Sequence, residues 1–209
     1  LARLGERFGA VNLPEGGPII WIHAVSVGET RAAATLIAAL RERHPGSRIL
    51  LTHMTPTGYA TGLELFGDTV LRAWLPYDYA FAMRRFLSRV RPAFALILET
   101  EIWPNLLAQC AKRGVPVFLV NARLSARSAA RYARVGPLAR EALGNFAGIA
   151  AQAHDDATRL AMLGARNVVV TGNIKFDLAV PAEAATQGRE LRELFGPARR
   201  IWVVGSTRD

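Results

Sequence analysis

The stretch Trp21-Ile22-His23-Ala24-Val25-Ser26-Val27-Gly28-Glu29-Thr30 decides how the rest of the chain is read. An apolar run gives way to a small-residue turn, and a helix start follows with one carboxylate at the junction. In open α/β sheets ligands bind in crevices beyond the carboxyl ends of the strands, which makes Glu29 the first candidate. Ser26-Val27-Gly28-Glu29 fits the S-x-x-E capping box, in which both side chains satisfy orphan helix amides. The same position suits a general base that takes a proton from a hydroxyl while Gly28 lets a substrate approach the backbone. A helix N-terminus favours the ionised carboxylate, which keeps such a base ready and also weakens it. The two roles are compatible.

Working outward, residues 18–24 read as the first strand, and residues 28–44 carry a helical stripe of Ala33, Leu36, Ile37 and Leu40. Further strands are predicted over 48–54, 70–75, 94–98, 115–120, 149–153 and 168–171. Helices are predicted from Pro56 onward, over 79–90 and 103–112, up to about 143, and over 155–163. Thr55-Pro56 places proline at a natural first helical position. This alternation predicts an α/β class, a Rossmann-like parallel sheet with helices on both faces, spanning residues 1–177. Residues 1–17 read as a basic, Gly- and Pro-punctuated lead-in. Residues 178–199 read as a connector with a helix over 189–195, and 200–209 as the opening of a second domain with a strand at 201–204. A start at Leu1 and an end just after a strand-like run suggest a piece of a longer protein.

The 209 residues are 51% hydrophobic, ample for a buried core. A formal net charge of +9 favours an anionic partner: phosphate, nucleic acid or an acidic membrane surface. All but two of the 26 basic residues are arginine, the exceptions being Lys112 and Lys175, and a GC-rich genome explains that bias as readily as a binding face. The solitary Cys110 excludes an internal disulfide framework and reads as a buried thiol on a helix. No run approaches the roughly 18 apolar residues of a spanning helix. His23, His44, His53 and His154 lack a metal-ligand pair spacing. There is no G-x-x-x-x-G-K-[ST] loop, no G-x-G-x-x-G after the first strand and no G-x-S-x-G elbow.

Other residues also carry chemistry. Glu99 and Glu101 flank Thr100 at the end of the most hydrophobic strand, where paired carboxylates are costly unless solvated, bonded or functional. Thr100 or Glu101 also reads as the cap of the helix containing Pro104. Arg123 and Arg127, four apart in a stretch with Asn121, Ser125 and Ser128, suit a phosphate or carboxylate clamp on one helical face, or simply a solvated helix start. Lys175 follows the turn Thr171-Gly172-Asn173 and offers a compact charge for an anion, or an exposed loop side chain. His154-Asp155-Asp156 reads as a helix N-cap cluster.

The blocks His23 to Glu29, Met54-Thr55-Pro56-Thr57-Gly58, Leu75-Pro76-Tyr77-Asp78, Glu99 to Asn105, Asn121 to Ser128 and Thr171 to Asp177 together resemble those of bacterial 3-deoxy-D-manno-octulosonic acid (Kdo) transferases that act on lipid A. The resemblance covers nearly the whole chain. It implies the N-terminal, acceptor-side half of a GT-B glycosyltransferase, which moves Kdo from CMP-Kdo to a lipid A precursor with inversion, needing neither metal nor cofactor. Glu29 then takes the catalytic base role, and Glu99 and Lys175 stabilise the transition state. Ser26, Gly28, Thr55, Glu101, Asn121, Arg123, Ser125 and Arg127 are the expected acceptor or anion contacts, with Ser206 and Thr207 on the donor side. The implied partners are the lipid A precursor, CMP-Kdo and an anionic membrane surface, not nucleic acid. The implied location is the cytoplasmic face of the bacterial inner membrane, with an anchor upstream. The segment alone is expected to be inactive without its C-terminal domain. The competing readings are another GT-B transferase or sugar-nucleotide epimerase, and a non-enzymatic Rossmann-like module that binds anionic ligands.

Overall fold

The structure, a computed structural model, describes residues 3–177, 182–196 and 198–204. The chain divides into two compact units, Leu1–Asp177 and Leu178–Asp209. In the first unit the elements run β1 (Ile19–His23), α1 (Val27–Arg43), β2 (Arg48–His53), α2 (Pro56–Phe66), β3 (Leu71–Trp74), α3 (Ala80–Val90) and β4 (Pro92–Leu98). They continue as α4 (Pro104–Ala111), β5 (Val117–Ala122), α5 (Ala126–Arg134), α6 (Gly136–Gly144), β6 (Gly148–Ala151), α7 (His154–Met162) and β7 (Val168–Val170). All seven strands pair in parallel in the order β3-β2-β1-β4-β5-β6-β7.

Period-2 alternation within β1 divides the core into two layers. Ile19 and Trp21 join Leu50, Phe86, Ile97, Leu106 and Leu143 on one face of the sheet, with α3, α4 and α6. Ile20 and Ile22 join Ala32, Ala33, Ile37 and Leu51 on the other, with α1. Each such side chain contributes about 1.5–3 kcal/mol on burial. This is the α/β class, a parallel sheet with helices on both faces, that the alternation of elements implies.

The lead-in is built into the fold. A 3-10 turn, Leu4–Phe8, buries Glu6, whose carboxylate accepts from the Trp74 amide at 2.9 Å. Arg7 lies 4.5 Å over the Trp74 ring and donates to the carbonyls of Met54 (2.8 Å) and Leu75 (3.1 Å). Three local expectations need correction. The helix at Pro104 is capped neither by Thr100 nor by Glu101: the distant Asp78 carboxylate accepts from Asn105 N (3.0 Å) and Leu106 N (2.8 Å). The helix at His154 is capped by no side chain, because its N-cap is Ala153 and Asp156 instead accepts from the Leu124 amide at 2.8 Å. Arg123 precedes the N-cap Ser125 of α5, so it shares no helical face with Arg127.

In the second unit α8 spans Ala182–Phe195, so much of the expected connector is helical; its Ala-Glu-Ala-Ala start has high helix propensity. Residues 201–204 form no strand, since a strand needs a paired neighbour and none is described in that unit. The donor-side candidates Ser206 and Thr207 lie outside the described residues.

Candidate active site at the β1–β4 switch point

Strand order reverses between β1 and β4. The chain leaving β1 turns to one face of the sheet and the chain leaving β4 to the other, which opens a crevice at their carboxyl ends. Glu29 lies after β1, and Glu99-Thr100-Glu101 after β4. Thr55 follows β2, Asn121 and Arg123 sit at the end of β5, and Lys175 follows β7. The topology therefore brings the expected residues of the first unit to one edge of the sheet.

Glu29 is 6% exposed and is held as the third residue of α1. Its Oε2 accepts from Val25 N (2.8 Å), its Oε1 accepts from the Ser26 hydroxyl (2.8 Å), and its own amide donates to Ser26 Oγ (3.3 Å). This is a capping box in which the carboxylate reaches one residue beyond the cap. Each carboxylate oxygen has two acceptor positions, so the clamp leaves capacity for a substrate hydroxyl. Burial pushes the Glu29 carboxyl above the ordinary range. The Val25 amide and Ser26 hydroxyl oppose that shift, and the Glu99 charge adds to it. Glu29 is thus fixed in place and a stronger base than a solvated glutamate.

The loop carrying Glu29 is braced from below. The Thr55 hydroxyl donates to Val25 O (2.7 Å) and accepts from Gly58 N (3.2 Å), and a Cβ at Gly58 would stand 2.6 Å from Val25 O. Thr55 is therefore engaged by the protein and braces the loop that carries Glu29. Beneath it, Trp21 Nε1 donates to Thr52 Oγ1 (2.8 Å), and burial holds His23 down at about 3 and His53 at about 4, both neutral. Among the described residues no group of three His, Cys, Asp or Glu side chains could hold a metal ion.

Across the crevice, Glu99 adopts left-handed backbone, φ 60°, which costs about 1–2 kcal/mol for a residue with a Cβ. Such strain marks positions over-determined by their surroundings. Glu99 Oε1 accepts from Lys175 Nζ at 3.0 Å. Burial, and after it the Glu29 charge, also push Glu101 upward. Three carboxylates thus converge, with one ammonium among them.

Lys175 comes from the edge of the sheet, three strand spacings or about 14 Å from β4. Asn121 makes the crossing possible. It is 4% exposed with φ 53°; its Oδ1 accepts from Ile174 N (3.1 Å), and its carbonyl accepts from Gln152 Nε2 (3.0 Å). Ile174 then packs against the core layer beneath α1. Asn121 thus pins the turn that delivers Lys175. Asparagine tolerates left-handed backbone, and an Asn at the end of a buried strand was the available sequence signal. Arg123 and Arg127 remain exposed, and Ser125 caps α5 by accepting from Ser128 N at 3.1 Å.

Residues 2–178 match the family model described as 3-deoxy-D-manno-octulosonic-acid transferase (kdotransferase). The chain belongs to the Kdo transferase family. It is 44% identical, over its full length, to the 3-deoxy-D-manno-octulosonic acid transferase of Bordetella pertussis, of which it covers 49%. To the enzyme of the same name from Haemophilus influenzae it is 39% identical, with 99% of this chain and 49% of that protein covered. The chain spans about half the length of these curated relatives. Among solved structures, the UDP-GlcNAc 2-epimerase of Neisseria meningitidis bound to UDP-GlcNAc superimposes with a TM-score of 0.57 at 14% identity, over 85% of this chain and 54% of that one. That likeness concerns the fold alone.

Proposed function

We propose that the full-length protein transfers Kdo from CMP-Kdo to a hydroxyl of a lipid A precursor in lipopolysaccharide biosynthesis, with inversion and without a metal or cofactor. The observation that carries this reading is the buried, doubly clamped Glu29 facing Glu99 and Lys175 across the switch-point crevice. Glu29 takes the proton of the acceptor hydroxyl as that oxygen attacks the anomeric carbon of Kdo. The bond from that carbon to the CMP phosphate breaks, and its electron pair leaves with CMP. Attack opposite the leaving group inverts the centre. Lys175, held by Glu99, supplies positive charge where negative charge develops, an effect strongest in a site closed to water.

The proposed setting is the cytoplasmic face of the inner membrane, with the arginine-rich surface towards anionic lipid and no nucleic acid partner. No helix among the described residues is long and apolar enough to cross a membrane. The test incubates the full-length protein with CMP-Kdo and lipid IVA and weighs the product. A mass increase of one or more Kdo units is expected. An unchanged acceptor overturns the proposal.

A further inference from the structure

The proposed reaction draws on neither the lead-in nor the block Leu75-Pro76-Tyr77-Asp78, and the two meet at Arg7. The Arg7 carbonyl accepts from Tyr77 N at 2.9 Å. Its half-buried guanidinium spans the carboxyl ends of two adjacent strands. Nη2 donates to Met54 O (2.8 Å), just past β2, and Nη1 donates to Leu75 O (3.1 Å), just past β3, with Met54 Sδ also 3.0 Å from Nη1. The Trp74 and Tyr77 rings flank the group, with centres at 4.5 and 5.7 Å. A planar fork serves both carbonyls from one fixed position, which a flexible ammonium does not.

Each of those carbonyls begins an arm that ends at one wall of the crevice. On the first, Met54 leads directly to Thr55, whose hydroxyl donates to Val25 O (2.7 Å), while Val25 N donates to Glu29 Oε2 (2.8 Å). Val25 is gripped through its carbonyl and its amide together, and Glu29 stands at the end of that grip. On the second, Leu75 leads through Pro76, whose ring fixes φ, and Tyr77 to Asp78. The Asp78 carboxylate accepts from Asn105 N (3.0 Å) and Leu106 N (2.8 Å), and Asn105 Nδ2 donates back to Asp78 O (2.7 Å). That fastens the start of α4, and the chain entering α4 is Glu99-Thr100-Glu101-Ile102-Trp103. One side chain therefore ties the support of the base loop to the support of the carboxylate loop.

We propose that Arg7 is a positioning residue for the transfer: by fixing Met54 and Leu75 to one another, its guanidinium sets Glu29 and Glu99 at their working separation across the crevice. The inference rests on the reading of Glu29 as the base acting on an acceptor hydroxyl, and it adds the group that holds the base opposite its partners. With its fork committed to two backbone carbonyls, Arg7 acts through the two loops and not on the substrate. Small displacements of a reacting group are costly in rate, so the consequence falls on kcat.

The test uses the full-length protein, with Arg3→Ala as the control, because Arg3 fastens the same lead-in but donates to Tyr59 Oη and Arg72 O instead. Hydrogen exchange needs no turnover. In Arg7→Ala it should quicken at Val25 N on one wall and at Asn105 N and Leu106 N on the other, and in Arg3→Ala it should match the parent at all three. In Kdo transfer from CMP-Kdo to lipid IVA, Arg7→Ala should lower kcat at least tenfold with both KM values within about twofold. It should also move the acid limb of kcat/KM downward, because a loosened loop admits water to Glu29. Arg7→Lys keeps a cation beside Trp74 and loses the fork, so its kcat should lie between, and it decides the matter if the alanine variant does not fold. Parental kcat in either folded Arg7 variant overturns the proposal. So does an Arg3→Ala variant that falls as far, or quickened exchange that is confined to one wall or spread evenly over the sheet. If both walls loosen in Arg7→Ala while folded Glu29→Gln keeps parental turnover, the base reading fails and the tie between the two walls stands.

Discussion

The two ends of the sheet make an instructive pair. The amino end holds a larger cavity, about 780 Å³, lined by residues 11–19, Arg48 and residues 88–91. Its arginines are spent on the protein itself: Arg48 donates to the carbonyls of Pro14 and Gly17, Arg89 to Val11 O and Arg91 to Ser88 O. The carboxyl end has a smaller cavity, about 300 Å³, yet it gathers three carboxylates, two of them pushed upward by burial and by one another. It also contains left-handed Glu99 and Asn121. Size and arginine content would favour the amino end. Like charges held together in a desolvated place, on strained backbone, favour the carboxyl end as the place of the proposed chemistry.

The largest expected effect sharpens that contrast. In the full-length protein, Glu29→Gln should lower kcat by about a thousandfold, as loss of a general base does, while circular dichroism stays native. Arg48→Ala at the amino end should leave kcat within twofold and lower the melting temperature by a few degrees, the consequence of about 1 kcal/mol of lost hydrogen bonding. A folded Glu29→Gln variant with parental turnover breaks the comparison, and an inactive but stable Arg48→Ala variant reverses it.

Lys175 comes next. Its ion pair with Glu99 is partly exposed and is worth at most about 1 kcal/mol to the fold. Lys175→Ala should therefore leave thermal stability unchanged and reduce kcat by about a hundredfold with little change in the acceptor KM. A variant that loses stability instead makes the pair a structural one.

Asn121 tests whether the crossing turn is a positioning device. Asn121→Gly removes the Oδ1 acceptor for Ile174 N while keeping φ 53° accessible, so stability should fall modestly and kcat by about tenfold. Asn121→Ala should lose the same activity and about 1 kcal/mol more stability, because alanine is strained in that backbone. Full turnover in the glycine variant would show that Lys175 finds its place without help.

Those residues also show what was legible in the chain. The sheet could be read, since β1 is a continuous run buried on both faces and the helices between strands carry apolar stripes, both of which leave a pattern in residue type. Glu29 could be read because a capping box has a fixed spacing. The clamp on Lys175 could not, because Asn121 and Ile174 are 53 residues apart and nothing local encodes their meeting. The same holds for Asp78, which caps a helix 27 positions downstream, and for Glu6 and Arg7, which fasten the lead-in to β3. Arg123 and Arg127 misled for the opposite reason: their spacing is helical, but Ser125 begins the helix between them. Sequence spacing reports contacts within an element, and the site is assembled from the ends of several.

The smallest effect is a displacement in pH. Glu29 acts only when ionised, so the proposed activity should rise with pH through its folded value. Burial, the largest influence on that value, places the acid limb of kcat/KM above the ordinary glutamate value of about 4.3. Glu99→Gln removes a neighbouring negative charge and should move this limb downward, even though the variant is slower. The stability relation has the opposite sign. A carboxyl raised on folding binds its proton more tightly in the native state, so its contribution is full below the unfolded value and is lost as pH rises through the folded one. Melting temperature should thus decline slightly across the window in which activity climbs, and Glu29→Gln should flatten that decline. An acid limb at or below the ordinary glutamate range would mean that the Val25 and Ser26 hydrogen bonds outweigh burial, making the clamp at the end of β1 a device for keeping charge rather than for strengthening a base.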